Sequence, residues 1–219
     1  MAPFDAPGRD CPLCQRLVAY RAEARAAHPD WHNAPVASFG SLDARLLIVG
    51  LAPGMGGANR TGRPFTGDHA GGLLYDTLGR FGFTAGAYAA DPGDGLSLID
   101  CRITNAVRCV PPGNKPLGAE TNACRPYLVN EIAAMANLRI ILALGVLSHG
   151  AVLRVLGRKQ SAAKFTHGAL HEGLADGLTL ADSYHCSRYN TNTGRLTGAM
   201  FDDVFEGIRA KLDACKTIT

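Results

Sequence analysis

Apolar residues along this chain fall into two kinds of run. Short continuous blocks at residues 45–51 (RLLIVGL) and 139–144 (RIILAL) abut glycine and read as strands buried on both faces. Residues 99–107 and 178–183 read as two further strands. Between and around them lie segments read as helices, at 17–27, 73–81, 120–137, 145–156 and 197–214. In the last of these, Met200, Val204, Ile208 and Leu212 recur every four residues, and Phe201 and Phe205 widen the same face. Strands alternating with helices predict an α/β fold, a three-layer αβα sandwich around a central, mostly parallel four-stranded sheet. Ligands in such folds bind beyond the carboxyl ends of the strands. The loops after Leu51, Val107 and Ser183 are therefore where chemistry is expected.

Composition narrows the class. The 219 residues are 47% hydrophobic and 19% charged, which supports a sizeable core and excludes wholesale disorder. The length suits one domain. A net charge of +3 admits a polyanionic partner without demanding one. No run reaches the 18 or more apolar residues of a membrane span, so no membrane partner is expected. The first ten residues are polar and lack the basic-then-apolar order of a signal peptide, which makes a cytoplasmic location the expectation. In a reducing compartment, seven cysteines read as metal ligands or catalytic thiols before they read as disulfides.

Four of those cysteines pair by spacing. Cys11 and Cys14 form C-x2-C, and Cys109 and Cys124 enclose 14 residues. Structural zinc prefers two tight pairs, which the wide second pair fits less well, whereas C-x2-C is also a common half-site for iron–sulfur clusters. The alternative is that these thiols are small buried hydrophobes, the simplest account of the unpaired Cys101 and Cys186; Cys215 reads as a helix-face residue.

The longest unusual segment runs from Gly50 to Asp68, GLAPGMGGANRTGRPFTGD. It follows a strand, yet it carries neither a Walker ending nor a G-x-G-x-x-G turn. Its glycines allow close approach to a flat or anionic ligand, while Arg60 and Arg63 offer cationic donors, Phe65 a stacking face and Asp68 a carboxylate. A second loop, residues 183–195, combines His185, Arg188, Arg195 and a run of short hydrogen-bonding side chains of the kind that grip phosphates. The remaining histidines, including His149, His167 and His171, read as structural or surface residues.

Together these segments resemble the uracil-DNA glycosylase superfamily, and within it the iron–sulfur-containing family 5 (type B) enzymes. GLAPG at 50–54 and NRTGRPFTGD at 59–68 match the first motif of that family. TNAVRCVPP at 104–112 matches the central one, and His185-Cys186-Ser187 running into NTNTGRLT at 190–197 matches the last. The resemblance spans essentially the whole chain, as one domain over residues 1–219 whose segment 1–30 carries the first two cysteines. Cys186 departs from it, standing where the family has proline. Ala52 stands where sister families place Asn, Asp or Glu to hold the attacking water, and alanine is the family 5 pattern.

The resemblance implies hydrolysis of the N-glycosidic bond of uracil in DNA, with hypoxanthine and xanthine as further candidates, by an enzyme that flips its base out of the stack. Phe65 would stack on the base, Asn105 would read its edge, and Gly54 and Ala52 would line the pocket. His185 would stabilise charge on the departing base. Asp68, ahead of Asn59, would position water. Arg60, Arg63, Ser187, Arg188, Asn190 and Arg195 would contact the strand. Cys11, Cys14, Cys109 and Cys124 would hold a structural 4Fe–4S cluster. The partner would be DNA containing deaminated bases, bound by a monomer. Two other readings stand beside this one: a non-excising binder of uracil-containing or single-stranded DNA, and a metal-stabilised nucleotide-binding domain.

Overall fold

Five strands rather than four form the central sheet of the computed structural model, which describes residues 6–214. In chain order the elements are α1 (Gln15–Ala27), β1 (Leu46–Gly50), α2 (Ala58–Thr61), α3 (His69–Arg80), β2 (Thr84–Ala85), β3 (Ser97–Leu98), β4 (Cys101–Asn105), α4 (Gly118–Ala134), β5 (Ile140–Leu144), α5 (Val146–Val155), β6 (Leu170–Ala175), β7 (Leu178–Ser183), α6 (Arg188–Asn192) and α7 (Gly198–Ala214). The sheet order is β4-β1-β5-β7-β6, with the first four strands parallel and β6 antiparallel to β7. β2 and β3 form a separate small antiparallel ribbon. Cys215 lies outside the described residues.

The continuous apolar runs are the inner strands, because a strand covered on both faces has no solvent side to leave polar. Every residue of β1, β4 and β5 is buried. Alternate residues serve the two faces. Leu46 and Ile48 pack with Leu74 and Leu78 of α3 and Phe201, Phe205 and Ile208 of α7, whereas Leu47 and Val49 pack with Leu128 of α4 and Val152 and Leu153 of α5. The fifth strand, β6, escapes the sequence pattern for physical reasons. It is an edge strand, mostly exposed, and its register shifts between His171 and Ala175 around Gly173, whose φ is +73°. Among the described residues no helix is long and apolar enough to cross a membrane.

The glycine-rich segment is not without structure. It contains α2, and α3 begins at His69, four residues ahead of the sequence boundary, with the Asp68 carboxylate accepting from Gly71 N at 3.3 Å as its N-cap. The adjacent Gly71-Gly72 hid this first turn, since glycine disfavours helix. Gly71 is nevertheless required, because a Cβ there would collide with the Phe65 carbonyl.

Candidate active site

Parallel pairing brings Gly50, the last residue of β1, opposite Asn105, the last of β4. The Asn105 side chain is 4% exposed and its amide has no hydrogen-bond partner among the described residues. Phe65 lies beside it, buried and held at a left-handed φ of +52°. Its carbonyl accepts from Tyr88 Oη at 3.2 Å. The closeness of ring and amide depends on Gly50: a Cβ there would stand 2.7 Å from Phe65 Cζ and nearer still to Asn105 Oδ1. The pocket so formed is lined further by Ala52, Gly54, Asp68 and His185. Where other side chains could place a carboxylate, Ala52 contributes only a methyl group. Asp68 reaches the pocket across Gly57 and Gly54, since a Cβ on either would press on its carboxylate. Several of the loop's glycines thus admit the protein's own side chains, a role for Gly50, Gly57 and Gly71 that glycine content alone hinted at without assigning.

His185 enters from the end of β7. Its ring centroid is 5.8 Å from that of Phe65, with the planes 30° apart. Burial pushes the imidazole pKa below its ordinary value, against the opposing charge of Asp68, so the ring is neutral at neutral pH. Asn190 Nδ2 donates to the His185 carbonyl at 2.8 Å, and Ser187 caps α6 by accepting from Asn190 N. His69 Nε2 and Thr191 Oγ1 meet at 2.9 Å, tying α6 to α3. Cys186 is fully buried in the core, and burial raises its thiol to about 12, leaving it a neutral packing group.

Two of the residues expected at the site are elsewhere. Asn59 is 1% exposed and donates to Asn33 Oδ1 at 2.9 Å, bracing α2 and lining no part of the pocket. Arg63 is 6% exposed and pairs with both oxygens of Asp94, at 2.7 and 2.8 Å, while its Nε donates to Thr66 Oγ1. It supports the loop that carries Phe65 and is too buried to meet a DNA strand. Arg60, Arg188 and Arg195 are exposed. Arg195 lies over the Tyr184 ring, 4.6 Å from its centroid. Ser187 and Asn190 spend the hydrogen bonds named above on their own loop.

The four spaced cysteines converge although they lie on three separate segments. Cys11 and Cys14 precede and cap α1, Cys109 follows β4, and Cys124 lies on α4; all are free. They line one cavity with Leu17, Arg21, Val107 and Tyr127. Arg108 N donates to Cys124 Sγ at 3.4 Å, Arg21 Nη1 approaches Cys109 Sγ at 3.6 Å, and Tyr127 Oη lies 3.8 Å from Cys11 Sγ. Such donors and the Arg21 cation suit thiolates. Burial pushes the free Cys109 thiol up to about 12 and raises Cys14 and Cys124 as well, a charge penalty that a bound cation would offset. Four thiols around one cavity form a donor set of the kind that takes a metal ion or an iron–sulfur cluster.

Comparison with known proteins agrees with this geometry. The family model of the uracil DNA glycosylase superfamily matches residues 37–209. A type-5 uracil-DNA glycosylase of Thermus thermophilus is 46% identical over 200 residues, covering 89% of this chain and 90% of that protein. One from Mycobacterium leprae is 45% identical over 204 residues, covering 89% and 88%. One from Pyrobaculum aerophilum is 39% identical over 209 residues, covering 94% and 89%. With its motif loops gathered at the strand ends and matches of this length, the chain belongs to the uracil DNA glycosylase superfamily.

Proposed function

We propose that this chain excises uracil from DNA by hydrolysing the N-glycosidic bond, the first step of base excision repair. The observation that carries the reading is the unpartnered, nearly buried Asn105 amide beside a neutral His185, under the ring of Phe65. A pyrimidine edge offers adjacent donors and acceptors, and a primary amide complements both. An amide buried without a protein partner is costly unless a ligand or solvent satisfies it. The target base must leave the stack to arrive there, and Phe65 provides its new stacking face.

As the glycosidic bond breaks, negative charge gathers on the departing base. Neutral His185 donates a hydrogen bond to it through its ring N–H, an oxyanion-type role. With only a methyl at Ala52, leaving-group stabilisation carries more of the barrier. Asp68, at the pocket edge, is the carboxylate available to orient water. Arg60, Arg188 and Arg195 are the exposed cations for backbone phosphates. On this reading the chain acts as a monomer on DNA containing deaminated bases. Cys11, Cys14, Cys109 and Cys124 would hold a 4Fe–4S cluster, which supplies a structural link between α1, α4 and the loop after β4.

The test is release of uracil from a duplex carrying one deoxyuridine, read as alkali-labile abasic sites. Wild type should cut, and Asn105→Ala should lose excision while keeping its affinity for undamaged DNA. A protein that shifts the duplex yet leaves no abasic site would instead be a binder.

A further inference from the structure

Beside the excision pocket lies a second, larger cleft of about 640 Å³, most of whose lining has no part in the reaction described above. The two share His185, and the larger also includes Asn190 and Arg195. Its volume lies in the range of sites that enclose small organic ligands. Its lining is chiefly apolar and aromatic: Val146 and Leu147 from the start of α5, with Phe165, His167 and Tyr184. Val146 and Leu147 are 60% and 62% exposed, a cost in water that a ligand would relieve.

The aromatic wall is built in advance. His167 and Tyr184 stack with centroids 4.8 Å apart and planes 4° from parallel, and Tyr184 N donates to His167 Nδ1 at 3.1 Å. Phe165 meets the edge of His149. A His–Asp–His group, with His149 and Asp182 buried and His171 partly so, stands behind it. The fully buried Asp182 takes His149 Nδ1 at 2.7 Å, His171 Nε2 at 2.8 Å and Thr166 N at 3.2 Å. His149 Nε2 reaches the Ala163 carbonyl at 3.0 Å. These hydrogen bonds fix a segment, 164–166, that has no regular secondary structure. Rings held rigid beside a cation are the composition of a stacking platform for unpaired nucleic acid.

We infer that this cleft is a second nucleobase site, which takes the unstacked base next to the excised one on the same strand. The inference rests on the uracil-excision reading above. The two cavities adjoin through His185, and Arg195, which lies over the Tyr184 ring at the cleft, is an exposed cation for the same strand. A neighbour still paired in a duplex cannot enter, so the site favours single-stranded or frayed DNA.

The experiment uses single-stranded oligonucleotides with one 2′-fluoro-deoxyuridine, which resists excision, and with its 5′ or 3′ neighbour replaced by a base-free spacer. Binding is read by fluorescence anisotropy. One spacer should weaken wild-type binding about five- to 150-fold, the span of base–aromatic stacking. Phe165→Ala should bind the intact oligonucleotide as weakly as wild type binds the spacer, and should ignore the spacer. Phe165→Tyr should retain sensitivity. Leu147→Ser, at an exposed position outside the core, should reduce it. Indifference of wild type to both spacers, or full sensitivity remaining in both Phe165→Ala and Leu147→Ser, would overturn the inference. So would weakening by a neutral phosphate analogue alone, since the cleft would then hold backbone. Excision from the matching deoxyuridine oligonucleotide is measured separately; its absence would sink the glycosylase reading, whatever the spacers do.

Discussion

Gly50→Ala adds one methyl group at the point where Asn105 and Phe65 approach each other. Gly50 has no positive φ, so alanine suits its backbone and the perturbation is purely steric. To move from 2.7 Å to the 3.4 Å of ordinary contact, Phe65 Cζ must withdraw by about 0.7 Å, and Asn105 Oδ1, which is nearer, by more. Both groups lie at side-chain tips and can move, so the fold should survive. Their position over a base is another matter, because a displacement of ~1 Å costs on the order of 100-fold in rate. Gly50→Ala should therefore slow single-turnover uracil release about 100-fold, with affinity for undamaged duplex unchanged. Gly56→Ala is the control from the same loop, because a Cβ there meets nothing within 4 Å. It should act as wild type. Excision by Gly50→Ala within a few-fold of wild type would refute the claim that Gly50 sets the pocket. Equal losses in both variants would refute the steric argument.

Other outcomes follow from the same geometry. His185→Ala should slow single-turnover release by about 100- to 1000-fold, the loss of one oxyanion donor, with DNA affinity retained; parallel losses in both would make His185 a loop-shaping residue. Because burial depresses its pKa, His185 should stay neutral at neutral pH, and acidification below the ordinary histidine value of 6.5 should destabilise the fold, since the unfolded chain then binds the proton more readily; a stability profile flat through that range would refute the burial argument. Anaerobically purified protein should carry about four irons per chain, and Cys109→Ser should lose them together with thermal stability; stoichiometric zinc in their place would refute the cluster. Gly72→Ala, in open space on α3, should stabilise by about 0.5–1 kcal/mol, whereas Gly71→Ala next to it should destabilise the fold, a pair separated by thermal melts.

The local pattern of the chain was enough for its inner architecture. Runs such as LLIVG and IILAL, short, rich in aliphatic residues and bounded by glycine, read as strands covered on both faces, and helices between parallel strands have few other ways to pack. The resemblance of its motif loops to a known family was likewise enough to expect Phe65, Asp68, Asn105 and His185 at one place, where they line one pocket. Three things required the tertiary structure. Arg63 looked like a phosphate ligand until Asp94, 31 residues away, was found paired with it in the interior. Asn59 looked like a water-holding group until Asn33 took its amide. The edge strand β6 is bulged, and only Leu174 of its six residues is buried, so nothing in its period betrays pairing with β7. Periodicity reports which faces are covered, because burial selects apolar side chains wherever it occurs. It does not report where a charge or an amide finds its partner, because that depends on contacts between segments distant in sequence, and these exist only once the chain has folded.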